Sequence, residues 1–378
     1  MKVCYFGTYR ANYSRNQIMI AALRAAGVEV VECHAPLWRG VEDRVAAASG
    51  KWASLTFIKR FVSTYWQLLG RYRRLEKDYD LLVLGYPGQI DVFLARLLAW
   101  LTRKPLVMDV FMSIYLIAAE RGLVAKSPFT GRLIRQLESW ACRLPDRLVI
   151  DTVAYRAWFE AHYNLPAARF RLVPTGADDR VFKPVPSEEA HTGLRLIHYG
   201  TYLPGTGVDV IIDAAKLLEN EADIHFDLLG EGQFKAQSMA QAVRLGLKNV
   251  TFHSWIDKAE IPVRVAEADV CLGVFARAEQ SERTVVNKAY EALAMAKPLI
   301  TGDSATVRDH IAPDEEALLV ERGNPQHLAQ AILRLRDDPA LRRKLAERGH
   351  ALYQRRYAIA CLGEQYRAHL EELLAEKR

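Results

Sequence analysis

Arg283-Thr-Val-Val-Asn287-Lys288-Ala-Tyr-Glu291-Ala-Leu-Ala-Met-Ala-Lys297-Pro298-Leu-Ile300 is the stretch that decides how this chain reads. Lys297-Pro298 stops a helix, because proline lacks the N–H that would continue it and disfavours helical backbone just before it. The apolar run Pro298-Leu-Ile-Thr301 then reads as a buried strand. A helix that delivers the chain straight into a buried strand is the repeating unit of an α/β sheet. At the front of the helix, Asn287 is placed to act as cap. Lys288 falls beside the free N–H groups of the first turn, and Glu291 projects one turn further on. A helix N-terminus attracts anions. A cation beside it suits a diphosphate, and a carboxylate one turn on can take both hydroxyls of a ribose. The same residues also fit an ordinary capped helix with a surface ion pair.

Outward from this segment, strands and helices alternate in both halves of the chain. Val3–Phe6, Val28–Val31, Leu81–Leu84, Leu106–Met108 and Leu148–Ile150 read as strands in the first half. Leu194–Tyr199, Ile224–Leu229, Val250–Phe252, Val270–Leu272, Leu299-Ile300 and Leu318–Val320 read as strands in the second. Helical periodicity fills the gaps. This pattern predicts parallel sheets covered by helices on both faces. Pro174, Gly176, Pro184, Pro186 and Gly193 mark a linker. The predicted domains are residues 1–175, residues 176–355 and a C-terminal helix over 356–378, and the tail from Pro339 to Arg378 reads as helical and highly charged. Two doubly wound domains in tandem put a cleft at the carboxyl ends of their strands, where ligands bind.

Composition narrows the function. The chain has 378 residues, 50% hydrophobic and 25% charged, as in soluble globular proteins. Its most apolar run, Ile90–Leu101, carries Asp91 and Arg96 and is too short to span a bilayer. Residues 1–7 have no signal-peptide core, so the chain is expected in the cytosol. Cys4, Cys33, Cys142, Cys271 and Cys361 have no metal or redox spacing and read as reduced core residues. Residues 1–175 hold 25 Lys and Arg against 14 Asp and Glu, a net of +11, within a total of +6. The remainder is therefore acidic, at −5. The two halves meet different partners. No nucleic-acid motif accompanies the basic half, so no nucleic acid is expected.

Three loops at strand ends add to the candidate site. Gly7-Thr8 follows the first strand, and Ser14 with Gln17 has capping-box spacing for the next helix. A single glycine there argues against NAD or FAD, whose fold needs three. Gly200-Thr201 to Thr206-Gly207, and Gly230-Glu231-Gly232, end two strands of the second half. Glycine lets backbone approach a ligand closely, although a plain strand-to-helix turn also uses it.

Taken in order, Tyr199-Gly-Thr…Gly-Thr-Gly207, Leu228-Leu-Gly-Glu-Gly232, Val250-Thr-Phe-His-Ser-Trp255 and Tyr290-Glu-Ala-Leu-Ala-Met-Ala-Lys-Pro298 resemble glycosyltransferase family 4. The resemblance covers nearly the whole chain. It implies the GT-B fold, with two Rossmann-like domains facing a central cleft and a C-terminal helix crossing back to the first. It implies a retaining transferase with a nucleotide-sugar donor, a UDP- or GDP-sugar, in the second domain and an acceptor in the first. No metal and no cofactor are implied. Glu291 matches the ribose glutamate, Gly7 and Thr8 the loop facing the diphosphate, and Ser254, Trp255 and Ile256 the stretch that reads the base.

The chain also departs from the family pattern. Thr201 and Thr206 stand where most members carry Arg and Lys, and Arg283 stands where most carry a second glutamate. Asp109 occupies the region of a missing histidine. Arg283 and Lys288 are therefore expected to serve the diphosphate and Asp109 the sugar or acceptor hydroxyl. A strand-end Asp is equally a helix cap. A GT-B nucleotide-sugar epimerase, or a non-catalytic subunit that has lost its phosphate cations, fits the same fold. Finally, residues 51–77 are basic, with Phe57, Phe61, Tyr65, Leu68 and Tyr72 at helical spacing and Trp52 and Trp66 close by. They fit the headgroup layer of an anionic membrane, with a glycan or lipid-linked acceptor at the inner face of the plasma membrane, or simply the domain core.

Overall fold

The computed structural model describes residues 1–37, 55–186 and 191–377. The chain divides into two compact units, Met1–Thr175 with Ile359–Arg378, and Gly176–Ala358.

The first unit is a six-stranded sheet in the order β2-β1-β3-β4-β5-β6. Its strands are β1 (Lys2–Gly7), β2 (Glu29–His34), β3 (Leu81–Leu84), β4 (Leu106–Phe111), β5 (Arg147–Ile150) and β6 (Phe170–Leu172). All pairs are parallel. The edge strand β6 has only three residues and two of them are half-buried, so it lacks an apolar run that sequence patterning can detect. The helices Leu55–Arg74, Asp91–Thr102 and Pro128–Arg143 cover one face, all feeding a single core layer through Leu68, Tyr72, Val92, Ala95, Ala141 and Cys142. The helices Ser14–Ala25 and Ile359–Glu376 cover the other. These two pack backbone to backbone: a Cβ added at Gly363 would lie 2.1 Å from the Ala22 carbonyl oxygen.

The second unit repeats the plan, in the order β12-β11-β10-β7-β8-β9. Its strands are β7 (Leu194–Tyr199), β8 (Ile224–Leu229), β9 (Val250–His253), β10 (Val270–Leu272), β11 (Leu299–Gly302) and β12 (Leu318–Val320). Again every pair is parallel. Inward residues alternate along β7: Leu194 and Leu196 enter one core layer, Ile197 and Tyr199 the other. The helix Asn287–Ala294 packs in the second layer through Ala289, Tyr290, Ala292 and Leu293.

In each unit the winding reverses beside the first strand, between β1 and β3 and between β7 and β10. Loops diverge at such a switch point and leave a crevice at the carboxyl ends of the strands. At these points the end of β1 and the loop after it hold Gly7 and Thr8, and the loop after β7 holds Gly200 and Thr201, all residues the sequence singles out.

Candidate active site

Lys288 and Glu291 come together at the switch point of the second unit. The helix Asn287–Ala294 starts after Val286, whose extended backbone makes Val286 the cap position, and no side chain caps it. Asn287 is thus the first helical residue, which corrects its expected capping role. Its position depends on the backbone angles of Val286, which spacing alone does not reveal. The uncapped N-terminus carries partial positive charge. Burial pushes the Lys288 ammonium down to about 7, and Glu291 opposes that shift. Glu291 is buried, and burial pushes its carboxyl up against the pull of Tyr199, Lys258 and Lys288. A Cβ at Gly200 would lie 3.2 Å from Lys288 Nζ, so the loop after β7 meets the ammonium with bare backbone.

The remaining glycines serve packing between loops. A Cβ at Gly230 would lie 1.9 Å from the Gly200 carbonyl oxygen, and one at Gly207 2.4 Å from the Ala276 nitrogen. Thr201 is exposed. The Thr206 hydroxyl donates to the Leu203 carbonyl at 2.7 Å. Glu231 is exposed and pairs with Lys235 at 2.6 Å. Ser254 and Trp255 are exposed after β9, with Trp255 at 51%, while Ile256 packs against the core. Arg283 is held by its own turn: it donates to the Glu279 carbonyl at 2.6 Å and pairs with the Glu279 carboxylate at 3.0 Å. It therefore differs from the free phosphate cation expected of it.

Two expectations in the first unit are corrected. Thr8 is buried, and its N–H and hydroxyl donate to Asp91 at 2.6 and 3.0 Å. Those donors are thereby taken from any diphosphate. Gly7 is required there, because a Cβ would meet Asp91 Oδ2 at 2.6 Å. Asp91 also accepts from the Tyr65 hydroxyl at 2.5 Å, which ties the helix Leu55–Arg74 to this loop. Asp109 is fully buried, and Arg15 donates to its two oxygens at 2.8 and 3.2 Å. Arg15 is equally buried and donates to the Val173 and Pro174 carbonyls at 2.8 and 2.9 Å. A carboxylate engaged in this way anchors the end of β6 and is not offered to an acceptor hydroxyl. Asp91, Arg15, His198 and Lys258 are given no site role by the sequence patterns, and Tyr65 is read there only as part of the aromatic stripe of residues 51–77. Their partners lie far along the chain, as in the 83-residue separation of Thr8 and Asp91.

Among the described residues no group of three or more His, Cys, Asp or Glu side chains gathers as for a metal ion.

Two family models match the chain. Residues 12–176 match the family described as "Glycosyl transferase 4-like domain", and residues 193–338 match "Glycosyl transferases group 1". The chain belongs to the glycosyltransferase-4-like enzymes of GT-B fold. Over 317 residues it is 24% identical to the alpha-D-kanosaminyltransferase of Streptomyces kanamyceticus, covering 80% of both chains. Over 172 residues it is 27% identical to the lipopolysaccharide core biosynthesis glycosyltransferase LpsD of Rhizobium meliloti, covering 45% of this chain and 47% of that one. The structure of HepE from Anabaena, solved with UDP, superposes with a TM-score of 0.71 at 16% identity, covering 98% of this chain and 99% of that one. The same fold occurs in sucrose-phosphate synthase from Thermosynechococcus elongatus, at a TM-score of 0.72 and 17% identity with full coverage of both.

Proposed function

We propose that this glycosyltransferase is a retaining enzyme that moves a hexosyl group from a UDP- or GDP-sugar to a glycan or lipid-linked acceptor of the cell envelope. The observation that carries the reading is the pairing of Lys288 and Glu291 at an uncapped helix start beside Gly200. Glu291 takes the ribose hydroxyls. The helix N-terminus and Lys288 hold the diphosphate and stabilise the charge that builds on it as the glycosidic bond breaks. The leaving diphosphate accepts the acceptor proton, so no protein carboxylate dyad is needed. HepE, with UDP and with UDP-glucose bound in its structures, supports a uridine donor.

The stripe of Tyr65, Leu68 and Tyr72 expected to meet a membrane turns inward instead, with Leu68 and Tyr72 in the core and the Tyr65 hydroxyl on Asp91; a lipid-linked acceptor is favoured by a different face of the first unit. Ile58, Val62 and Trp66, then Phe93, Leu97 and Trp100, then Phe129, Leu133 and Trp140, are exposed on three helices of one face. Exposed Lys59, Arg73, Arg74, Arg132 and Arg135 accompany them. The only carboxylates on these helices, Asp91 and Glu138, are buried. Apolar side chains among unopposed cations fit an anionic headgroup layer. Lys51 and Trp52, also expected to contribute, lie outside the described residues. No described helix is long and apolar enough to cross a membrane.

The test is release of nucleotide from UDP-glucose and GDP-mannose, with and without lipid extract and in the presence of chelator. Release that requires a lipid fraction and persists in chelator is expected. Free sugar released without acceptor would indicate the epimerase-type reading instead. No turnover of either donor would indicate a non-catalytic subunit.

A further inference from the structure

His198, the penultimate residue of β7, is 1% exposed and sits at the switch point of the second unit. Its Nδ1 lies 3.2 Å from the Leu272 carbonyl oxygen on the neighbouring β10. A carbonyl oxygen only accepts, so Nδ1 carries the ring proton and Nε2 is a bare lone pair. That lone pair lies 3.2 Å from Lys288 Nζ, a group that only donates. Three elements, β7, β10 and the helix Asn287–Ala294, are thus joined through one ring.

We propose that His198 is a positioning residue that aims the Lys288 ammonium at the donor diphosphate. One N–H of the ammonium is held by Nε2, the ring is held by Leu272, and the other two N–H groups are left for phosphate oxygens. The proposal rests on the diphosphate role given to Lys288 above. It accounts for two further facts. Burial and the Lys288 charge push His198 well below its ordinary 6.5, so its acceptor lone pair persists across neutral pH. A lysine tip has many rotamers, and fixing it before the donor arrives removes an ordering cost from binding. The titratable groups facing Lys288 are Glu291 on its own helix and His198 from β7, with Lys258 acting on Glu291. Because Nε2 bonds the charged amine, losing it should lower the Lys288 pKa further below about 7.

The test compares wild type, His198→Leu, which removes the acceptor at similar volume, and His198→Gln, which restores an amide acceptor. Competitive acetylation read by mass spectrometry follows Lys288 titration without any ligand. Turnover is measured with UDP-glucose and GDP-mannose. In His198→Leu, Lys288 should titrate at lower pH and kcat should fall about tenfold or more, the size expected for losing a hydrogen bond to a charged group. His198→Gln should recover both. His198→Asn, too short to reach, should behave as His198→Leu and serves if that variant does not fold. An Lys288 titration indifferent to all three variants, in an enzyme that turns over donor, overturns this proposal alone. A wild type that binds no nucleotide sugar overturns the functional reading and this proposal with it.

Discussion

Lys288 is charged at a cost in the free protein. Its ordinary pKa of 10.5 falls to about 7 on folding. Between these values the unfolded chain holds a proton that the folded chain has lost, so this site adds stability as pH rises from 7 toward 10.5. Below 7 the folded protein carries the desolvated charge in full. Lys288→Met should therefore gain most over wild type in acid and lose that advantage as pH rises through this window, in urea unfolding at several pH values. Donor affinity should run the other way. It should fall as pH rises above about 7, because the ammonium that meets the diphosphate is lost, and calorimetry with UDP-glucose would read this. Lys288→Ala should lower turnover by ~10²-fold, as for one lost preorganised donor. Arg283→Ala should cost much less, since its guanidinium is already engaged by Glu279. Glu291→Ala should weaken donor binding by about 1.5–3 kcal/mol, the worth of a charge-assisted hydrogen bond. Asp109→Asn belongs to a different class. It leaves the Arg15 guanidinium buried without its carboxylate, and breaking such a pair costs about 3–5 kcal/mol. A lowered urea midpoint with near-normal kcat in the folded fraction is the expected result; a lost kcat at unchanged stability would return Asp109 to catalysis.

At the scale of elements, the exposed residues of three helices make one surface only if all are mutated together. Trp66→Glu, Trp100→Glu and Phe129→Glu replace side chains that are 66%, 64% and 77% exposed, so folding should tolerate them. The triple variant should no longer float with anionic liposomes, while wild type should; equal flotation on neutral and anionic vesicles would sink the membrane assignment. Gly363→Val tests a buried contact instead, where the added Cβ meets the Ala22 carbonyl. A loss of about 1–3 kcal/mol is expected from such overpacking, read as a lower melting temperature. Elements of this kind were legible in the sequence wherever a contiguous apolar run met a proline or glycine, as at Leu194–Tyr199 and at Lys297-Pro298. The helix starts at Ser14 and Asn287 were legible only to within one residue. In both, the cap position falls on the preceding residue, Tyr13 or Val286, with no side chain bonded there. The site was half legible. Glu291 and Lys288 share a helix turn and so show in the spacing, whereas Thr8 with Asp91 and Arg15 with Asp109 meet only through the winding of the sheet.

At the scale of the whole molecule, the first unit is sewn from both ends of the chain. Its second layer needs Ile359, Leu362, Tyr366, Leu370 and Leu373 against Ile18, Met19, Ala22 and Leu23. A chain ending at Ala358 should expose that apolar layer, and limited proteolysis should then cut the first unit before the second. The ribosome makes such a chain transiently every time. Residues 1–175 emerge early, yet their closing helix begins only at Ile359. At ordinary elongation speeds the wait is roughly 10–40 s. The half made first is the half finished last, and during that interval its open hydrophobic layer is a natural client for a chaperone.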